Sequence, residues 1–335
     1  MSIWSRTDTS PLSRWWWTID RTALLSILAL VGIGLVLILS ASPGIAAKHS
    51  LAPYHFINRQ LLFVAPAIVM LCGVSLIDVE RIKFWILPAF GVCYALLLVT
   101  LILGASRHGA RRWLEFAGFS LQPSEFLKPL FVLATAYLLQ ERARIGALKR
   151  YGLAAGLLIA VVLPLALQPD FGQIALITLG WGAMMFLAGL PILFMVGFAA
   201  VASVAGVFVY FHSQHVAERV NGFFFDPSSA SNFQVNMSQK AIQAGGLLGE
   251  GMGEGRLKWA LPDAHTDFIF AVAGEEFGIL LCLLIVLLFA FFVGRAIVVA
   301  MRESDHYVQL AVAGLALFLA LQAFINIGVN VHLMP

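Results

Sequence analysis

The sequence predicts an all-α polytopic membrane protein with nine transmembrane helices, on three observations. Hydrophobic residues make up 60% of the 335 and charged residues only 12%, against about 45–50% and about 25% in soluble proteins. The mean hydropathy is +0.90. The apolar residues also fall in uncharged runs of roughly 20, the length that crosses about 30 Å of hydrocarbon.

Residues 1–22 form a polar, Trp-rich segment with Arg6, Arg14 and Arg21, which does not read as a cleavable signal peptide, and the membrane domain is expected over 23–335. Ala23–Ala47 carries no charge and makes span one; Gln60–Ile77 and Phe84–Ser106 make spans two and three. Span four starts near Glu125, with its clean part at Pro129–Gln140, and Tyr151–Pro169 is span five. The uncharged stretch Phe171–Ala217 is too long for one crossing, and Gly189-Leu190-Pro191 divides it into spans six and seven. Phe277–Gly294 anchors span eight and Tyr307 opens span nine. The chain stops inside an uncharged segment at His332-Leu333-Met334-Pro335, the ending expected of a truncation.

Lys and Arg in the short loops set the orientation. One side holds Arg6, Arg14, Arg21, Arg81, Lys83, Arg142, Arg144, Lys149, Arg150, Arg295 and Arg302. The other side holds fewer once Arg219, Lys240, Arg256 and Lys258 are set aside, because they lie in one long loop that the rule discounts. The N-terminus is therefore expected in the cytoplasm, with Trp15, Trp16 and Trp17 at the interface. Two outer segments stand apart: Gly104–Ser124, rich in Arg, and a large polar loop at about 213–266 with a flexible Gly-rich run at 245–255.

Several functions are excluded. A net charge of +3 without a basic, aromatic-interleaved stretch gives no nucleic-acid surface. Cys72, Cys93 and Cys282 lie scattered in apolar runs and suit neither a metal site nor a disulfide framework. No internal repeat of fixed period suggests a repeat-built transporter. The Gly-rich run lacks the Gly-Lys-Ser/Thr ending of a phosphate loop.

Charges inside or beside membrane spans are costly, so each is a candidate for function. Glu125 and Lys128, at i and i+3, share one helix face; as a buried ion pair they would cost roughly 3–5 kcal/mol to break. Asp170, in Gln168-Pro169-Asp170-Phe171-Gly172, reads foremost as a helix cap. Gln234, Ser238 and Ile242 recur every four residues, as in a short helix lying on the membrane surface. The densest group is Leu261-Pro262-Asp263-Ala264-His265-Thr266-Asp267-Phe268, followed by Gly274-Glu275-Glu276-Phe277-Gly278. Either aspartate could cap a helix, but two carboxylates and an imidazole gathered at the membrane edge also suit proton transfer, and Glu275 and Glu276 lie deeper than capping requires.

These residues resemble a known family. Gly109-Ala110-Arg111-Arg112-Trp113-Leu114, Gln122-Pro123-Ser124-Glu125 with Lys128, Gln168–Gly172, Gly249–Gly253, Leu261–Phe270 and Asn326-Ile327-Gly328-Val329-Asn330 together resemble the SEDS family of cell-wall polymerases, over about residues 20–335. Ser40-Ala41-Ser42-Pro43, Arg59-Gln60 and the Trp-rich start are more similar to the FtsW, or division, branch than to the RodA branch. Asp263 stands where the family usually has Glu, and the family's Pro-Phe-Ile-Ser-Tyr-Gly-Gly motif would follow beyond residue 335. The resemblance implies ten helices and a peptidoglycan glycosyltransferase that joins lipid II at the outer face of the bacterial inner membrane, at the division septum. It implies Asp267 as the general base. The residues expected to contact substrate are Arg112, Trp113, Glu125, Lys128, Arg219, Lys240, His265 and Thr266. No cofactor is demanded, and a divalent cation, Mg or Mn, could accompany the pyrophosphate. The partners implied are lipid II, membrane lipids, a class B penicillin-binding transpeptidase and other division proteins of the membrane. A lipid II flippase using the same polar groups, or a non-catalytic division scaffold, would serve the pattern too.

Overall fold

The computed structural model describes residues 11–48, 50–107, 110–116, 119–140, 146–225, 232–261 and 263–334. Gly109, Arg142, Arg144, Asp226, Pro227 and Pro262, which carry parts of the motifs and of the charge pattern, lie outside them. The chain forms two compact units, each drawn from separated stretches. One comprises Met1–Leu76, Ser203–Phe292 and Ala323–Pro335; the other comprises Ile77–Ala202 and Val293–Gln322.

Helices α1 (Pro11–Thr18), α2 (Arg21–Lys48), α3 (His55–Ser75), α4 (Val79–Leu103), α5 (Pro123–Leu139), α6 (Ala147–Leu167), α7 (Phe171–Leu187), α8 (Ile192–His212), α9 (Gln214–Phe225), α10 (Phe233–Gly245), α11 (Ile269–Arg302) and α12 (His306–Asn330) make up most of the chain. Among the described residues, α2, α3, α4, α6, α8, α11 and α12 are long and apolar enough to cross a membrane. These account for seven of the nine expected spans. Helices α5 and α7 sit where spans four and six were expected, but each has 17 residues, or about 25 Å at 1.5 Å per residue. Pro123 starts α5 at a position where its missing N–H costs nothing, and Gly189, at φ +79°, ends α7 before Pro191.

The all-α expectation fails in one place. The Arg-rich segment after α4 is a three-stranded antiparallel sheet, β1 (Ala105–Arg107), β2 (Ala110–Phe116) and β3 (Phe119–Leu121), in the order β1-β2-β3. Helical periodicity was absent there, but strands this short leave too little alternation to read. The register passes from Ala105 opposite Trp113 to Ser106 opposite Arg111, so Arg112 has no partner residue and occupies a bulge. A bulge redirects the side chain it carries.

The large polar loop is also more ordered than its composition suggests. It contains α9, α10 and a 3-10 turn at Leu257–Ala260. Helix α10 does form where Gln234, Ser238 and Ile242 predict one, with one face buried in the protein. Val235, Ser238 and Ala241 are buried, and Ala241 packs with Ala41 and Ile45 of α2, with Leu261, Ala264 and Phe268, and with Ala271 and Val272 of α11. Small side chains at Gly245 and Gly274 allow this approach: a Cβ on Gly245 would collide with the Gly274 carbonyl.

Helix α11 is broken at Gly278, whose φ of +76° is non-helical. A break within a span frees backbone groups that lipid cannot satisfy. Here the Gly-rich turn after α10 satisfies them. Ile279 and Leu280 N–H donate to the carbonyls of Gly246 and Leu247, at 3.0 and 3.4 Å, and Glu250 and Gly251 N–H donate to those of Glu275 and Glu276, at 2.9 and 3.0 Å. A Cβ at Gly278 would strike the Leu247 carbonyl. The turn thus meets α11 about 13 Å along the helix from Ile269, so the Gly-rich run is pinned rather than flexible.

Candidate active site

The segment 261–268 is built by alternation of anchor and exposed residue. Leu261, Ala264 and Phe268 are buried in the core against α2, α10 and α11, while Asp263, Thr266 and Asp267 remain exposed. Backbone bonds from Thr266 and Phe268 N–H to the Asp263 carbonyl close the turn. The His265 ring lies against Phe56, with centroids 4.3 Å apart. Among the described residues no hydrogen bond ties the Asp267 carboxylate into the start of α11, so a capping role has no geometric support. Although the side chain is open to solvent, the packed turn beneath it partly desolvates the carboxyl and pushes it above the usual carboxylate range. Asp263 adds to that rise, while His265 and Arg219 pull the carboxyl back down. Arg219 of α9 therefore acts on this group through its charge. Lys240 sits on the exposed side of α10 and contributes no contact to it among the described residues.

Behind this turn lies a buried ionic cluster that sequence reasoning missed. Lys258, counted from sequence as a loop charge, is 3% exposed. Its ammonium pairs with the Glu276 carboxylate, which also accepts from the Ser40 hydroxyl of α2, and reaches the Ser40 carbonyl at 3.3 Å. Glu275 accepts from the backbone N–H of Leu257 at 2.6 Å and of Lys258 at 2.8 Å, and Glu276 from that of Gly253 at 3.2 Å. The adjacent acids of α11 thereby hold both ends of the stretch between the Gly-rich turn and the 3-10 turn. The signal available in the sequence was the Glu275-Glu276 pair at span depth; nothing local pointed to Lys258 as its partner.

The other unit carries a second polar group. Arg112, redirected by the bulge in β2, donates to the carbonyl of Pro169 at 2.6 Å and of Gln168 at 3.4 Å, and lies 3.6 Å from Asp170. Asp170 occupies the N-cap position of α7, with the Gln173 backbone N–H acting on its carboxyl as a cap would, and it stands beside Arg112 as well. Burial pushes its carboxyl up, and Arg112 and the Gln173 amide pull it down. Trp113 is the next residue of β2, half-buried. Lys128 pairs with Glu125 at 2.6 Å and reaches Gln322 at 3.5 Å, while Gln173 donates to Glu125 at 2.7 Å.

The Glu125–Lys128 pair is not fully buried. The Lys128 side chain is 4% exposed but that of Glu125 is 41% exposed. Water screens the acid, so Lys128→Ala is expected to cost about 1 kcal/mol, as an exposed pair does, rather than the larger penalty of a sealed one. Calorimetric melting beside a polymerisation assay tests this. A small shift in melting with a large loss of activity is expected, and unchanged values in both would mean that the pair serves neither stability nor substrate.

Residues 21–335 match the family model for the cell cycle proteins FtsW, RodA and SpoVE. A probable peptidoglycan glycosyltransferase FtsW of Caulobacter vibrioides is 38% identical over 336 residues, covering 99% of this chain and 85% of the relative. The stage V sporulation protein E of Bacillus subtilis is 31% identical, covering 94% and 88%. Among solved structures, a chain from a peptidoglycan synthase complex that coordinates polymerization and crosslinking superposes with a TM-score of 0.77 at 26% identity, covering 95% of this chain and 89% of that one. The rod shape determining protein RodA of Thermus thermophilus shares the fold, with a TM-score of 0.68 at 24% identity over 94% and 86%. By sequence and by fold, this chain belongs to the FtsW/RodA/SpoVE family of cell cycle proteins.

Proposed function

We propose that this protein is a peptidoglycan glycosyltransferase that polymerises lipid II into glycan strands during cell division. The observation that carries the reading is the Asp267 carboxylate, exposed on a turn whose apolar neighbours are buried and whose backbone is fixed. Such a group suits general-base work: it must reach substrate, yet it must not move. As the acceptor sugar hydroxyl attacks the anomeric carbon of the donor, its proton passes to Asp267. A new C–O glycosidic bond forms, the C–O bond to the pyrophosphate breaks, and the electron pair leaves with the lipid pyrophosphate. Arg219, whose charge already acts on Asp267, is suited to the developing negative charge, with His265 and Thr266 beside it. In the other unit, Arg112, Trp113, Glu125 and Lys128 offer cations and an aromatic surface to an anionic, sugar-bearing lipid. Lys240, exposed on α10, is a further candidate contact for an anionic substrate. A divalent cation, Mg or Mn, would be carried by the substrate's own pyrophosphate oxygens.

In this reading all nine apolar helices cross the inner membrane from a cytoplasmic N-terminus, and a class B penicillin-binding transpeptidase and other division proteins are the partners. The decisive experiment supplies purified protein and that transpeptidase with lipid II, without a membrane gradient. Strand synthesis is the expected result; head-group translocation without strands would instead favour a flippase. Orientation is checked separately. Cysteines at Gly146 and Glu115, in a background lacking the native three, should react with an impermeant reagent from opposite faces, and equal labelling would overturn the topology.

A further inference from the structure

The main-chain carbonyl of Asp267 accepts the side-chain amide of Asn330 at 2.9 Å and that of Asn326 at 3.3 Å. It needs such donors. At the start of α11 the Ile269 N–H goes to the Thr266 carbonyl and those of Ala271 and Val272 go to the Phe268 carbonyl, so among the described residues no helix N–H serves the Asp267 carbonyl. Two amides from α12 fill both of its lone-pair directions. Asn330 is fully buried, and its Nδ2 also donates to the Asn326 carbonyl at 2.9 Å, one turn back.

The orientation of that buried amide is itself held. Ser238 of α10 donates its hydroxyl to the Asn330 carbonyl at 2.8 Å and lies 3.3 Å from Asn330 Oδ1. The carbonyls of Asp267 and Asn326 both accept from Nδ2, which sets the NH₂ end toward them, since only that end can pair with a carbonyl, and leaves Oδ1 beside the Ser238 hydroxyl. Three elements therefore converge on one peptide group: α10 through Ser238, α12 through Asn330 and Asn326, and the turn through Asp267. A cap or a core contact would not require two amides on one carbonyl.

We infer that Asn330, seconded by Asn326 and oriented by Ser238, is a positioning residue that fixes the peptide plane of Asp267 and so aims its carboxylate at the acceptor hydroxyl. This deepens the proposed glycosyltransferase reading and rests on Asp267 as its base. The amides hold the backbone carbonyl bonded to the Cα that bears the Asp267 side chain, so losing them lets that Cα, and the carboxylate with it, shift within the turn. A displacement of about 1 Å can cost about 10²-fold in rate.

The test is Asn330→Leu in the full chain with its transpeptidase, assayed on lipid II. The expected result is a fall in kcat of about 10–10²-fold, with KM and partner binding unchanged. A cycle with Asp267→Asn separates positioning from general damage. If Asn330 acts through the carboxylate, adding Asn330→Leu to Asp267→Asn leaves the residual rate where it was. An equal further loss in that background overturns the inference, because the amide would then be acting elsewhere. Should Asn330→Leu fail to fold, Asn326→Leu, at the less buried of the two amides, carries the same cycle with a smaller fall expected. Wild-type kcat in a folded variant beside a silent Asp267→Asn would refute the positioning role alone. Near-normal synthesis by Asp267→Asn would refute the base, and the positioning role with it.

Discussion

Asp267→Asn is expected to lower lipid II polymerisation by about 10²–10⁴-fold, the range that general-base assistance supplies, while the protein folds, enters the membrane and binds its transpeptidase. The substitution is nearly isosteric and asparagine caps helices about as well as aspartate, so a structural role would pass almost unnoticed. Only the capacity to take a proton is lost. The pH profile gives an independent check. The base works ionised, so activity is present above the carboxyl's pKa and is lost as pH falls through it. Because partial desolvation and Asp263 raise that pKa, the acidic limb should lie above the ~3.9 of an unperturbed aspartate. Arg219 pulls the carboxyl down, so Arg219→Gln should move the limb to higher pH. A limb at the ordinary value, unmoved by Arg219→Gln, would argue that another group limits the rate.

The second large effect lies in the buried cluster behind the turn. The Lys258 and Glu276 side chains are 4% and 0% exposed and paired. Lys258→Met leaves the Glu276 carboxylate without its cation in a site that water does not reach. Breaking a buried pair in this way costs roughly 3–5 kcal/mol, enough to lower the yield of folded protein and its melting temperature sharply. The double variant Lys258→Met with Glu276→Gln removes both charges and keeps the volume, and it should recover most of the lost stability, since neutral replacement of a buried pair is often tolerated. Thermal melting of the single and double variants reads this directly. A single variant as stable as the native protein would show that the pair contributes nothing to holding the Gly-rich turn.

The positions of the apolar helices were legible because insertion depends on a local sum: about twenty residues of low polarity, wherever they stand in the chain, prefer hydrocarbon. Glu125, Lys128, Asp170, Glu275 and Glu276 stood out for the same reason, each being a charge where charge is costly. The turn at 261–268 was legible in part, because its polar residues exceed what a helix start requires. What could not be read was which of these groups meet. Ser40 and Glu276 stand 236 residues apart, and Lys128 and Gln322 stand 194 apart. No periodicity couples such positions.

Arg112 shows the limit most clearly. Its charge in an outer loop was visible, but its direction depends on one unpaired residue in a strand register, set by the pairing of Ala105 and Ser106 across from it. Lys258 shows it too, since a lysine three residues after Gly255 has the local sequence of a solvated loop and is buried where it meets Glu276 of α11 and Ser40 of α2, both outside its loop. The sequence by itself determined where the long apolar helices fall and that a carboxylate, Asp267, stands just before one of them, because hydropathy and charge are properties of each residue. Tertiary structure alone decided that the main-chain carbonyl of Asp267 meets the amides of Asn326 and Asn330 and that Lys258 pairs with Glu276, because hydrogen bonds and burial arise only when residues far apart in the chain are brought within a few ångströms.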